Sequence, residues 1–172
     1  SMAPGQISEL SESSALAFRV AFDGDMPPPA ERYWRGLTLS HFDGRAWQQA
    51  IPRGMDEANY LYSGRGPAPD WVDALTAGRS DGASYAYQVI VEPTQRRWLF
   101  AMPVPFVSEG GISLARDMRL VANNPVSQRQ SYQVVSVPAA TRRLPLAEEE
   151  KALMLSIPEE SGRRARGLAQ QW

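Results

Sequence analysis

Leu16, Phe18, Val20 and Phe22 alternate with Ala17, Arg19 and Ala21. A period of two puts the four large side chains on one face of an extended chain, so residues 15–22 predict a half-buried strand. The pattern stops at Asp23-Gly24-Asp25, and Pro27-Pro28-Pro29 beyond it cannot donate to a ladder. Residues 33–49 predict a hairpin with arms 33–42 and 45–49 around Asp43-Gly44, because glycine tolerates the positive φ of a tight turn. Trp34 and Trp47 then fall in opposite arms.

Residues 50–83 carry no sustained period and are punctuated by glycine and proline. Within them, 69–75 predicts a short helix capped by Asp70. Strands resume at 84–92 and 98–102. Segments 112–114 and 118–122 flank a turn at Arg116-Asp117, and 130–137 is a further strand, rich in valine and tyrosine. Short strands separated by turn signals predict a mainly β fold, a β-sandwich-like or open-barrel domain. Residues 146–155 read instead as a helix, with acids early and Lys151 later, ended by Pro158. Ser161 would cap a second helix over 162–172. That helix has no stop signal and reads as cut through, and the opening Ser1-Met2 reads as a scar or an internal start.

Composition narrows the chemistry. The 172 residues suit one domain with a short appendage, and the net charge of −1 gives no basic excess for nucleic acid. No run of about 18 apolar residues is present, so nothing here predicts membrane insertion. There is no cysteine, which removes thiol nucleophiles and thiolate metal sites together. His41 is the one histidine, and the sequence places no nucleophile or carboxylate partner beside it. No Gly-x-Ser-x-Gly elbow occurs. Asp23-Gly24-Asp25 and Asp43-Gly44 fit turn chemistry rather than calcium loops. The expectation is no catalytic, cofactor-binding or metal residue and no cofactor. Of five tryptophans, Trp71 lies in the irregular region and is the candidate for an exposed ligand contact. Arg163, Arg164, Arg166 and Trp172 are candidate interface contacts to a neighbouring domain.

Several motifs occur together. Met2-Ala3-Pro4-Gly5-Gln6-Ile7-Ser8 precedes Leu16-Ala17-Phe18-Arg19-Val20. Tyr33-Trp34-Arg35-Gly36 leads to Phe42-Asp43-Gly44-Arg45 and Trp47. Val91-Glu92-Pro93-Thr94 leads to Arg97-Trp98-Leu99-Phe100-Ala101, and the chain closes on Arg164-Ala165-Arg166-Gly167-Leu168-Ala169-Gln170-Gln171-Trp172. In this order they resemble the bacterial membrane-anchored transglutaminase-like proteins of the TgpA type. The resemblance implies a periplasmic, β-rich region that precedes a papain-like core with a Cys-His-Asp triad, in an inner-membrane protein. No position here matches the catalytic motif, so no catalytic residue is carried over.

The expected organisation is a β-rich accessory domain over 1–140 and a helical segment over 141–172 leading toward an absent core. The expected partner is the transglutaminase core of the same chain. A module binding cell-wall sugar or peptide, or recruiting cell-envelope proteins, is the alternative. Arg35 and Arg45 are expected near Asp43 or Glu92.

Overall fold

The computed structural model describes residues 15–51, 55–77, 82–138, 146–158, 162, 167–169 and 171. It is mainly β, and the chain divides into two compact units. Of the described residues, one comprises 15–38, 56–77 and 82–138; the other comprises 39–51, 55, 146–158, 162, 167–169 and 171.

The larger unit holds two four-stranded antiparallel sheets. In the first, β1 (Phe18–Asp23), β5 (Tyr85–Val91), β10 (Gln130–Ser136) and β7 (Pro105–Phe106) lie in the order β1-β5-β10-β7. In the second, β4 (Leu61–Tyr62), β8 (Ile112–Ala115), β9 (Leu120–Ala122) and β6 (Trp98–Leu99) lie in the order β4-β8-β9-β6. This is an open sandwich without barrel closure. Alternation sets the inner face: Tyr87, Val89 and Val91 of β5, and Tyr132, Val134 and Ser136 of β10, are buried. They share one core with Leu99, Leu114, Leu120 and Ala122 of the second sheet. Burying a Leu- or Val-sized side chain contributes about 1.5–3 kcal/mol, so this shared core is the main source of the unit's stability.

Two short helices join this unit. The first, α1 (Glu57–Tyr60), is capped by Asp56, whose carboxylate accepts the Asn59 amide at 2.7 Å. The second, α2 (Asp70–Thr76), sends Trp71, Val72 and Leu75 into the core. Its cap is Pro69, without a side-chain hydrogen bond; Asp70 lies inside the first turn, which corrects the expected cap.

The smaller unit contains a hairpin of β2 (His41–Phe42) and β3 (Trp47–Gln48), with α3 (Glu148–Leu155) against β2. The hairpin is shorter than expected, and its connection is 43–46 rather than two residues. Asp43 explains this. Its carboxylate accepts the amides of Arg45 at 2.8 Å and Ala46 at 2.7 Å, so the side chain shapes the turn. Ser40 still belongs to the arm, its N–H donating to Gln48 O at 3.0 Å, but residues 33–38 do not extend it, because Arg35 bridges Ala101. At α3, Glu150 reaches back to accept the Ala147 amide at 2.8 Å. The second predicted helix is described only at 167–169, as one helical stretch; its cap at Ser161 lies outside the described residues.

Candidate functional site

Two motifs far apart in sequence close on each other in the larger unit. Arg35 N–H donates to Ala101 O at 2.8 Å, and Ala101 N–H donates to Arg35 O at 3.1 Å. Tyr33-Trp34-Arg35-Gly36 thus becomes a neighbour of Trp98-Leu99-Phe100-Ala101. Gly36 permits the approach: a Cβ there would lie 2.8 Å from Phe100 Cε1. The Phe100 ring has little room to retreat. It stacks on Phe18 at 4.2 Å and meets Trp98 edge-on at 5.2 Å. Trp34 packs on Phe18 at 5.4 Å and on Tyr87 at 5.4 Å.

The other hydrogen-bonding edge of 100–102 is satisfied by side chains. Tyr132 hydroxyl accepts the Phe100 amide at 2.9 Å and donates to the Phe100 carbonyl at 2.8 Å. Tyr87 hydroxyl accepts the Met102 amide at 2.9 Å, and Ser136 donates to the Met102 carbonyl at 3.1 Å. Ser136 has one proton and has given it to Met102, so Tyr87 is the donor in the 2.8 Å Tyr87–Ser136 contact. The hydroxyls therefore replace a neighbouring strand. Burial pushes Tyr87 up to about 12 and raises Tyr132 further, which keeps both phenols neutral as the staples require.

Arg35 has a second role. Its Nη1 donates to Asp117 O at 2.6 Å, at the turn between β8 and β9. The Asp117 carboxylate pairs with Arg119 Nε at 2.6 Å, both side chains being largely buried. Burial, reinforced by Asp117, pushes Tyr60 beside this pair up to about 12. Glu92 is held by Arg129 at 3.1 Å and Arg19 at 3.5 Å. The expected carboxylate partners of Arg35 and Arg45 are corrected accordingly: Arg35 binds a main-chain carbonyl, and Arg45 is tied to Asp43 through its amide.

Trp71 is 7% exposed, and its Nε1 donates to Asn59 O at 3.1 Å. The exposed contact expected there is thus corrected: the α2 helix turns this side chain into the core. Arg163, Arg164, Arg166 and Trp172 lie outside the described residues. Sequence reasoning missed the tyrosine staples, since a tyrosine within a strand carries no mark of where its hydroxyl points. Gly36 did stand inside a quoted motif, although its packing partner lies in another.

The arrangement is a rigid junction whose polar groups are bonded to one another, and its tyrosines stay protonated. No group of three His, Asp or Glu side chains converges as a metal site among the described residues.

Comparison with known proteins places these motifs. Residues 1–143 match the family described as the TgpA N-terminal domain. The chain is 37% identical over 171 residues to a protein-glutamine gamma-glutamyltransferase of Pseudomonas aeruginosa, covering 99% of this chain and 23% of that protein. The crystal structure of the periplasmic domain of TgpA from Pseudomonas aeruginosa superposes with a TM-score of 0.74 at 36% identity, over 99% of this chain and 53% of that one. The same domain bound to ethylmercury also has a TM-score of 0.74, with 54% of it covered. The chain spans about a quarter of the curated relative and about half of the crystallised domain.

Proposed function

The chain belongs to the TgpA N-terminal domain family, and on that premise we propose that it is the non-catalytic accessory and scaffolding domain of a transglutaminase-like membrane protein that faces the periplasm. The junction of Arg35 with Ala101 carries this reading. Its conspicuous motifs spend their polar groups on one another, which suits a part that holds position. The chain also lacks the sulfur nucleophile that Cys-His-Asp transfer of a γ-glutamyl group from glutamine to an amine requires.

The partner is the transglutaminase core of the same longer protein, which this domain orients and holds off the membrane. The periplasm is the location that the crystallised relative supports, and a place on the inner membrane is what the TgpA-type motifs imply. No helix among the described residues is long and apolar enough to cross a membrane. An interaction role toward cell-envelope proteins or peptidoglycan fragments draws support from the smaller unit, where Leu155 and Ile157 are exposed.

The test is to prepare the catalytic region of such a protein with and without this domain. The accessory role predicts a higher melting temperature or faster transfer of γ-glutamyl groups from glutamine to an amine when the domain is present. Equal values in both measurements would remove the scaffolding reading.

A further inference from the structure

The strand β1 forms one edge of its sheet: β5 pairs with one side of it, and among the described residues no strand pairs with the other. Glu92 N–H donates to Ala17 O at 3.1 Å, which fixes the phase of the ladder. Ala17, Arg19, Ala21 and Asp23 turn their main chain toward β5, so Phe18, Val20 and Phe22 present theirs to the open side. Among the described residues, none of those outward groups has a partner. Burial marks the same edge. Tyr87, Val89 and Val91 of β5 are fully buried, whereas the residues opposite them, Phe22, Val20 and Phe18, are only partly covered. Trp34 touches Phe22 and Tyr87 alike, so it covers this strand pair from the inner face and not from the edge. The strand has no proline and no inward charge, two devices that commonly blunt such an edge.

The sequence of β1 is complementary to itself. In an antiparallel pair, an edge-facing residue must meet another edge-facing residue. A second copy centred on Ala21 satisfies this, with Val20 opposite Phe22 of the second copy and the reverse. Those apolar side chains then cover one another on the inner face. On the exposed face, Arg19 stands opposite Asp23 of the second copy, and the twofold axis repeats the match. Ala21 meets its own copy at the axis, where a small side chain suits the close approach of a non-hydrogen-bonded pair. Moving the axis to Val20 or Phe22 keeps the main-chain bonding but loses the match of Arg19 with Asp23. Both charges are available. Glu92 holds Arg129 at 3.1 Å, closer than its 3.5 Å contact with Arg19. Asp23 is exposed and enters no ion pair among the described residues.

We propose that β1 is a self-association edge, on which a second copy of this chain adds antiparallel across Ala21. Val20 and Phe22 exchange main-chain hydrogen bonds with Phe22 and Val20 of the second copy, and two sheets become one continuous sheet. The contact is small, so the dimer is weak and reversible, with a dissociation constant of about 0.1–1 mM. The charge match, rather than the main chain, sets the partner and the register, because any extended chain offers the same main-chain groups.

The experiment is sedimentation equilibrium of the 172-residue chain at low ionic strength, from about 20 μM to about 1 mM, with amide hydrogen exchange at both ends of that range. The expected result is a monomer–dimer equilibrium. Exchange at Val20 and Phe22 should slow as concentration rises, while Arg19 and Ala21, already bonded to β5, should not change. Arg19→Asp or Asp23→Arg alone sets like charges opposite each other at both symmetric positions and should weaken association by about tenfold or more. Mixing R19D with D23R restores opposite charges at both positions, and the mixed dimer should come within about threefold of the natural affinity. The proposal is overturned if the chain stays monomeric at about 1 mM. It is equally overturned if Val20 and Phe22 gain no protection on dimerisation, if the single variants dimerise as well as the natural chain, which would place the contact on another face, or if the mixture fails to restore association.

Discussion

The larger and smaller units place similar aromatic residues in opposite circumstances. Trp34 has Phe18, Phe22 and Tyr87 around it and packs against the buried core of the larger unit. Trp47 has the Phe42 ring at 5.3 Å and is 46% exposed. The larger unit builds its core from eight strands of two sheets, and even its hydroxyls are enlisted to complete a strand edge. Among its described residues the smaller unit has a two-stranded sheet, the α3 helix and a helical stretch at 167–169, and an isolated hairpin of this kind is marginal in water. Aromatic content alone therefore does not give a rigid region; the number of strands available to cover each ring decides it.

Truncating one leucine in each unit should produce the widest gap. Leu99 is fully buried, so Leu99→Ala leaves a cavity and should cost about 2–5 kcal/mol. Leu155 is 78% exposed, and Leu155→Ala should change stability by less than about 0.5 kcal/mol. Chemical denaturation of both variants checks this, and comparable losses would mean that the smaller unit's apolar residues are covered in solution.

The tyrosine staples offer a finer probe of the larger unit. Tyr132→Phe strips both main-chain partners from Phe100 and should cost about 1–3 kcal/mol, the usual price of orphaned buried groups. Alkaline pH attacks the same staples. Burial pushes Tyr87, one of these staples, up to about 12 in the folded chain, above the usual 10 for an unfolded tyrosine, and Tyr60 beside Asp117 and Arg119 is raised to about the same value. A raised value favours the protonated form in the folded state. Its contribution is complete below pH 10 and is lost as pH rises from 10 through 12. For fully buried Tyr87 the loss is roughly 2 kcal/mol. Tyr87→Phe should be weaker at neutral pH yet flatten this decline, as followed by denaturant midpoints across pH 8–12. An unchanged slope would show that Tyr87 ionises freely while folded.

The long alternating strands were legible in the sequence. The inner faces of β1, β5 and β10 follow directly from a period of two, and the turn at Arg116-Asp117 sits where its polar residues interrupt two apolar segments. Two-residue strands such as β4 and β7 are too short to show any period, and they exist because a longer neighbour pairs with them. Residues 33–38 misled because local pattern favoured a hairpin arm, while the partner that wins, Ala101, is distant in sequence. Trp71 misled for a similar reason: proline and glycine around it signal an irregular path, and the path nevertheless returns to the core.

The smallest expected effect lies at the turn of the smaller unit, and it tests whether that turn depends on its own side chain. The amides of Ala46 and Arg45 hold the Asp43 carboxyl below its usual value. A depressed value means that the turn is supported above the ordinary carboxylate range and released as pH falls through the lower, folded value. Gly44 at φ +101° keeps the chain reversed without that help. Acid should therefore loosen the Arg45 and Ala46 amides without unfolding the larger unit, whose β5 and β10 amides should keep their protection from hydrogen exchange. Asp43→Ala should give the same local loss at neutral pH, together with a weaker contact between the Phe42 and Trp47 rings in nuclear Overhauser spectra. If acid and the substitution instead lower protection in β5 and β10 to the same degree, the two units unfold as one and their difference in packing does not translate into a difference in stability.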